Sequence, residues 1–186
     1  MCLLEIISEN IHKDDLLTII YTSGTTGNPK GVMLTHNNLM SNVSATIKMA
    51  DLVDTDNHSF LSFLPLSHVL ERMAGHYTAF SIGGTVYFAE SIETVADNLT
   101  ETNPTIVVSV PRLFEKMYNK IVDGLKSAPK LRRKIFDFAY KIGKETSHIY
   151  DKSTLQGVQK IKFNLANKLV YTKVKQKLGG KIQFFV

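Results

Sequence analysis

Short apolar runs alternate with helix-like stretches of 10–15 residues through the first 110 residues, and this alternation limits the possible folds more than any other feature. Leu16–Tyr21, Gly31–Thr35, Phe60–Leu64, Thr85–Phe88 and Thr105–Ser109 are short, apolar and bounded by turn formers, the pattern of buried strands. Between them, helices are expected from His36 to about Ala50, from Ser67 to about Ile82 and from Ile92 to Thr102. Thr35 is placed to cap the first helix, whose Leu39, Val43 and Ile47 form a stripe expected to pack on the sheet. Ser67 is placed to cap the second, with Leu70, Met73, Ala74, Tyr77 and Phe80 on its apolar side, and Gly83-Gly84 stops it. Strands joined by helices of this length require crossovers, so the fold class is α/β, a largely parallel sheet with flanking helices. From Pro111 the pattern changes to long helices at roughly 111–126, 130–148 and 155–178, and Lys181–Val186 reads as a further buried strand. The organisation expected is a linker or fraying edge over 1–15, an α/β part over 16–110, a helical segment over 111–180 and a strand over 181–186.

Between the first two strands lies Tyr21-Thr22-Ser23-Gly24-Thr25-Thr26-Gly27-Asn28-Pro29-Lys30-Gly31. Glycines at 24, 27 and 31 admit torsions closed to other residues and let main-chain N–H groups approach an anion with no Cβ in the way. The hydroxyls of Thr22, Ser23, Thr25 and Thr26 can donate to phosphate oxygens, and Lys30 adds a full positive charge. A polar hairpin turn needs neither so many hydroxyls nor Pro-Lys-Gly in that order. The Walker pattern is absent, because Lys30 follows proline and precedes a strand. The loop therefore reads as a polyphosphate holder.

Composition excludes several classes. With 44% hydrophobic residues the chain of 186 residues can bury a core. It contains no run long and apolar enough for a membrane span and no basic-then-apolar leader, and its one cysteine, Cys2, fits a reducing compartment, so a cytoplasmic location is expected. The six histidines lack metal-ligand spacing, and no structural metal site is expected. Charge is unevenly spread: residues 1–111 carry −8 and residues 112–186 carry +13. Solvated helix faces account for such a block, and attraction to anionic lipid, as a peripheral membrane contact, or to a phosphate-bearing ligand is the other reading. No nucleic-acid module is visible.

His68 follows the strand ended by Pro65 and opens a helix, a place where open α/β sheets bind ligands, though a histidine satisfied by a carbonyl there is an equally simple reading. Glu71 and Arg72 read as local structure, and His76 is undecided. Arg112 stands at another strand-to-helix junction and reads as structural first, ligand-facing second. Met73, Tyr77 and Phe80 fit core packing, with the wall of an apolar ligand tunnel as the alternative.

Tyr21–Gly31 resembles, position for position, the signature loop of the adenylate-forming superfamily of AMP-binding enzymes, which includes acyl- and aryl-CoA synthetases, luciferases and peptide-synthetase adenylation domains. Phe63-Leu64-Pro65-Leu66-Ser67-His68-Val69-Leu70-Glu71-Arg72 and Val110-Pro111-Arg112-Leu113-Phe114-Glu115-Lys116 resemble its long-chain fatty acyl-CoA synthetase branch. The resemblance covers nearly the whole chain and only an inner part of such an enzyme's N-terminal domain. It implies a ligase that forms an acyl-adenylate and pyrophosphate from ATP and a fatty acid, then transfers the acyl group to CoA. In those terms Thr22, Ser23, Gly24, Thr25, Thr26, Gly27 and Lys30 hold the ATP phosphates with Mg²⁺, and His68 lies on the acyl side. The residues that grip adenine and ribose come later in such enzymes, so no complete catalytic set is expected here. The chain alone is expected to be inactive and to self-associate through Ile182–Val186. A non-catalytic nucleotide- or acyl-binding module, or a synthetase for other carboxylic acids, is the alternative.

Overall fold

The computed structural model describes residues 10–22, 27–50, 58–149 and 151–186. The chain divides into two compact units, Met1–Ile92 with Thr105–Val108 and Gln183–Val186, and Glu93–Pro104 with Ser109–Ile182. The helix after residue 92, expected to go with the sheet, thus belongs to the helical unit.

The first unit opens with an antiparallel hairpin, β1 (Leu16–Thr22) and β2 (Lys30–Thr35). Its register pairs Tyr21 with Gly31 and Thr22 with Lys30, and an irregularity falls between Leu16 and Thr18. Gly31 is required by close approach, since a Cβ there would lie 2.8 Å from Ile19 Cγ2. Helix α1 (His36–Ala50) follows without a gap. Its start is a reciprocal box: the Asn38 N–H donates to Thr35 Oγ1 at 3.2 Å, and the Thr35 N–H donates to Asn38 Oδ1 at 3.0 Å. Of the expected linker, residues 12–15 form a turn tied to this start, with the N–H groups of His36 and Asn37 donating to the carbonyls of Asp15 and Lys13.

A four-stranded, all-parallel sheet completes the unit in the order β4-β3-β5-β6, from β3 (Ser59–Ser62), β4 (Thr85–Phe88), β5 (Ile106–Val107) and β6 (Phe184–Phe185). The strand expected over 181–186 is a sheet member at Phe184–Phe185, paired with β5. Helix α2 (69–81) crosses from β3 to β4. Phe60, Ala79 and Ile106 form its core with Ile82 and Val86. Leu39 and Val43 of α1 are buried as their spacing predicts, but α1 packs on α2 and β2 rather than on the face of the sheet. The hairpin is a separate small sheet, and α2 lies nearest to α1.

Helix α2 differs from its expected form. Glu71–Tyr77 is π-helical, between a short α-helical start at 69–70 and a regular α-helical end at Thr78–Ser81. The Thr78 N–H donates to the Met73 carbonyl five residues back, and Thr78 Oγ1 donates to the same oxygen at 2.9 Å. Hydrogen bonding at that spacing makes each turn wider than 3.6 residues, so residues four apart align on one face. The buried face is accordingly Glu71, Gly75 and Ala79, with Ala74 and Thr78 beside it. Phe80, expected inside, is 63% exposed.

The helical unit contains α3 (Val95–Thr102), α4 (Pro111–Lys126), α5 (Lys130–Thr146) and α6 (157–177), the last π-helical over Asn167–Tyr171. Proline occupies the first turn of α4, where a missing N–H costs nothing. Ala139, Ile142 and Ala166 form its core, covered by Phe138, Phe163, Val170 and Tyr171, and the Tyr171 hydroxyl donates to the Ala139 carbonyl at 2.6 Å. Asn103 ends α3 in the left-handed region, and Gly179 and Gly180 end α6 with φ of +89° and +77°. An apolar cavity of about 810 Å³ lies among these helices, floored by Met117, Ile121, Leu125 and Val174 and rimmed by Lys120, Arg132, Lys173 and Lys177.

Candidate functional site

The hairpin brings the two ends of the glycine- and hydroxyl-rich loop together. Thr22 is the last residue of β1 and Lys30 the first of β2, directly paired, with Thr22 Oγ1 3.5 Å from the Lys30 carbonyl oxygen. Both side chains are exposed, and Lys30 makes no ion pair among the described residues. Gly27 has φ of +82° with no atom within 4 Å of a would-be Cβ, so it is needed for its torsion rather than for space. Ser23, Gly24, Thr25 and Thr26 lie outside the described residues. What is described is a hydrogen-bonded strand pair that sets one hydroxyl and one ammonium without an ion pair at the loop's mouth.

His68 lies in the exposed turn beyond β3, on the carboxyl side of a parallel strand, where the fold leaves room for ligands. Its N–H donates to the Pro65 carbonyl at 2.9 Å, and its carbonyl accepts from the Arg72 N–H at 3.2 Å. Its ring Nδ1 accepts from the Leu70 N–H at 3.2 Å. A ring accepting at Nδ1 carries its neutral-form proton on Nε2, so His68 presents a donor outward, suited to a carboxylate or a carbonyl oxygen.

The neighbouring pair Glu71 and Arg72 separates completely. Glu71 is fully buried, neither carboxylate oxygen has a hydrogen bond of normal geometry, and Gly75 leaves the space it fills. Burial pushes its carboxyl upward from its ordinary value, only partly opposed by the nearby Ser62 hydroxyl. Arg72 turns the other way: its Nε donates to the Leu66 carbonyl at 2.9 Å and its Nη1 to Thr18 Oγ1 of β1 at 2.8 Å. His76 is an apolar-packed ring, 4.7 Å from Phe80 and 5.6 Å from Phe88, with Nδ1 buried and unpartnered. Arg112 is exposed in the first turn of α4. Among the described residues no three His, Cys, Asp or Glu side chains are grouped to hold a metal ion.

Sequence reasoning singled out the loop and His68 and read Glu71 and Arg72 only as local structure, without the burial of the one or the long-range bond of the other. The available signal for Glu71 was a glycine four residues on, beneath an acid, following a serine-ended strand; for Arg72 there was none, because its partner Thr18 is 54 residues away.

The AMP-binding enzyme family matches residues 5–161, and the chain belongs to that family. It is similar to long chain acyl-CoA synthetase 7, peroxisomal, of Arabidopsis thaliana, with 36% identity over 174 residues that cover 92% of this chain and 23% of the relative. Among solved structures it is similar to the inhibitor-bound N-terminal domain of FACL13 from Mycobacterium tuberculosis, with 31% identity and a TM-score of 0.50 over 58% of this chain and 27% of that one. It is also similar to o-succinylbenzoate CoA synthetase (MenE) from Bacillus subtilis in complex with the acyl-adenylate intermediate OSB-AMP, with 27% identity and a TM-score of 0.50 over 59% of this chain and 22% of that one. The chain thus spans about a quarter of the length of the curated relatives it matches.

Proposed function

We propose that this chain supplies the polyphosphate side and part of the acyl side of a long-chain fatty acid–CoA ligase. In the reaction a fatty-acid carboxylate oxygen attacks the α-phosphorus of ATP, pyrophosphate leaves, and the CoA thiol then attacks the acyl carbonyl while AMP departs. The hairpin loop serves the first step by holding the β- and γ-phosphates, so that the departing pyrophosphate meets fixed donors; this is positioning and charge stabilisation, with no side-chain nucleophile. Mg²⁺ would come bound to the nucleotide phosphates and would supply charge neutralisation there, the Thr22 hydroxyl oxygen lying at that end of the loop, and the described residues offer no carboxylate cage of their own. His68 serves the carboxylate through its outward Nε2–H. The long-chain assignment is supported by the name of the Arabidopsis relative and by the wording around His68 and Arg112.

One observation carries the reading: the register that sets Thr22 against Lys30, with the lysine free, at the neck of the loop. Titration of the chain with ATP and with inorganic tripolyphosphate, followed by calorimetry, tests it. Binding is expected in the millimolar range, competitive between the two ligands, and weakened about tenfold by Lys30→Ala, as for loss of a charged hydrogen bond. Equal affinity in the variant refutes a polyphosphate site.

A further inference from the structure

We propose that Arg72 is a positioning residue that fixes the phosphate hairpin to the turn carrying His68, so that the polyphosphate and carboxylate ends of the reaction are held in one frame. The proposal rests on the reading above and adds the element that joins its two halves. Among the described residues, no backbone ladder joins the hairpin to the four-stranded sheet. Arg72 bridges the gap from one planar group. Nε holds the Leu66 carbonyl, two residues before His68, and Nη1 holds Thr18 in β1, four residues before Thr22. The backbone N–H of Arg72 also donates to the carbonyl of His68 itself, so the residue grips the turn by main chain and side chain together.

Three features favour a positioning role over a simple ion-pair anchor. Both side-chain acceptors are neutral, and no described ion pair includes Arg72. The guanidinium is rigid, so its two bonds constrain one another; a lysine ammonium reaches one acceptor and leaves the other unpaired. The adjacent Glu71 is buried in the π-helical turn while Arg72 reaches out to Thr18 of β1, so the two neighbouring side chains divide between core and hairpin.

The experiment compares the chain with Arg72→Met, Arg72→Lys, Thr18→Val, the double variant Thr18→Val/Arg72→Met, and Lys30→Ala as the independent control. Three readouts are taken well below the melting transition: amide hydrogen exchange of β1 and β2 against β3 and β4, ATP affinity, and the response of the His68 ring resonances to ATP. We expect Arg72→Met and Thr18→Val each to speed exchange in the hairpin but not in β3 and β4, and to weaken ATP at least threefold. The double variant should bind no more weakly than Arg72→Met alone, because both changes break one bond, and Arg72→Lys should fail to restore wild-type affinity. ATP should shift the His68 resonances in the wild type and not in Arg72→Met. Unchanged hairpin exchange, or wild-type affinity with an intact His68 response, overturns the proposal while Lys30→Ala still weakens binding. An inert Lys30→Ala instead refutes the polyphosphate reading and takes the functional role of Arg72 with it. If Arg72→Met does not fold, Thr18→Val, which keeps the Leu66 bond, decides the matter by the same readouts.

Discussion

Replacing Gly75 with alanine sets two opposed effects against each other with calculable sizes. Gly75 sits in the π-helical part of α2 with an ordinary negative φ, so nothing in its backbone forbids a side chain. Helix propensity alone favours alanine by about 1 kcal/mol. Against this, the new Cβ would lie 2.6 Å from Glu71 Oε1, 3.0 Å from its Cδ and 3.4 Å from Oε2. A carboxylate tip on the surface would swing aside at little cost, but Glu71 is fully buried and its retreat must displace packed neighbours. Overpacking of this kind costs about 1–3 kcal/mol. Steric cost therefore exceeds propensity by about 1 kcal/mol, or a fall of a few degrees in melting temperature at about 2–4 °C per kcal/mol for a chain of this size. Thermal unfolding by circular dichroism measures it. The decisive control is Gly75→Ala in a Glu71→Ala background, where the clash is gone and the same substitution should become neutral or stabilising. A higher melting temperature for Gly75→Ala in the wild-type background would refute the packing described here.

Two further outcomes follow from the same coordinates. Because burial raises the Glu71 carboxyl above its unfolded value, the folded chain holds that proton more tightly, and stability should fall as pH rises from the ordinary carboxylate range through the raised value; Glu71→Gln should flatten this part of a urea-denaturation series between about pH 4 and 8, and an unchanged slope would show Glu71 ionised in the fold. Gly179→Ala should destabilise the helical unit by about 2–4 kcal/mol, since φ is +89° and the added Cβ runs into the Leu99 carbonyl oxygen, whereas Gly180→Ala meets nothing nearer than Gln176 Cα at 4.0 Å and should cost only the left-handed penalty of about 1–2 kcal/mol; equal losses in chemical denaturation would refute the distinction.

The hairpin, the parallel strands and most helix limits were legible because they depend on local signals: apolar runs, Thr35 before a helix, Pro111 at its first turn, Gly179-Gly180 at its last. The loop stood out in the sequence because its glycines, hydroxyls and Lys30 are concentrated in one short stretch. Helix α2 was not. A period of 3.6 placed Phe80 inside and left Glu71 to local structure, whereas the π-helical register rotates the acid into the core and the aromatic ring out. The cause is tertiary, since Glu71 is buried against Gly75 and beside Ser62 of β3, which local spacing does not reveal. The partition of Glu71 from Arg72 could not be read either, because it turns on Thr18, whose proximity the fold creates.

The interleaving of the two units along the chain bears on how the molecule is made. β3 and β4 pair across a short crossover and can form as soon as both have been synthesised, but β5 finds β6 only after the intervening helices: Ile106 pairs with Phe184. Closing so long a loop before its contacts reward it is the slow step in such topologies. The helical unit, whose Glu93–Pro104 and Ser109–Ile182 pieces come before β6 in the chain, is thus expected to gain structure first and to shorten the effective loop by holding its ends. Until then β5 presents one unpaired edge, and the Ile106-Val107-Val108 run on it is the segment of the nascent chain most exposed to mispairing.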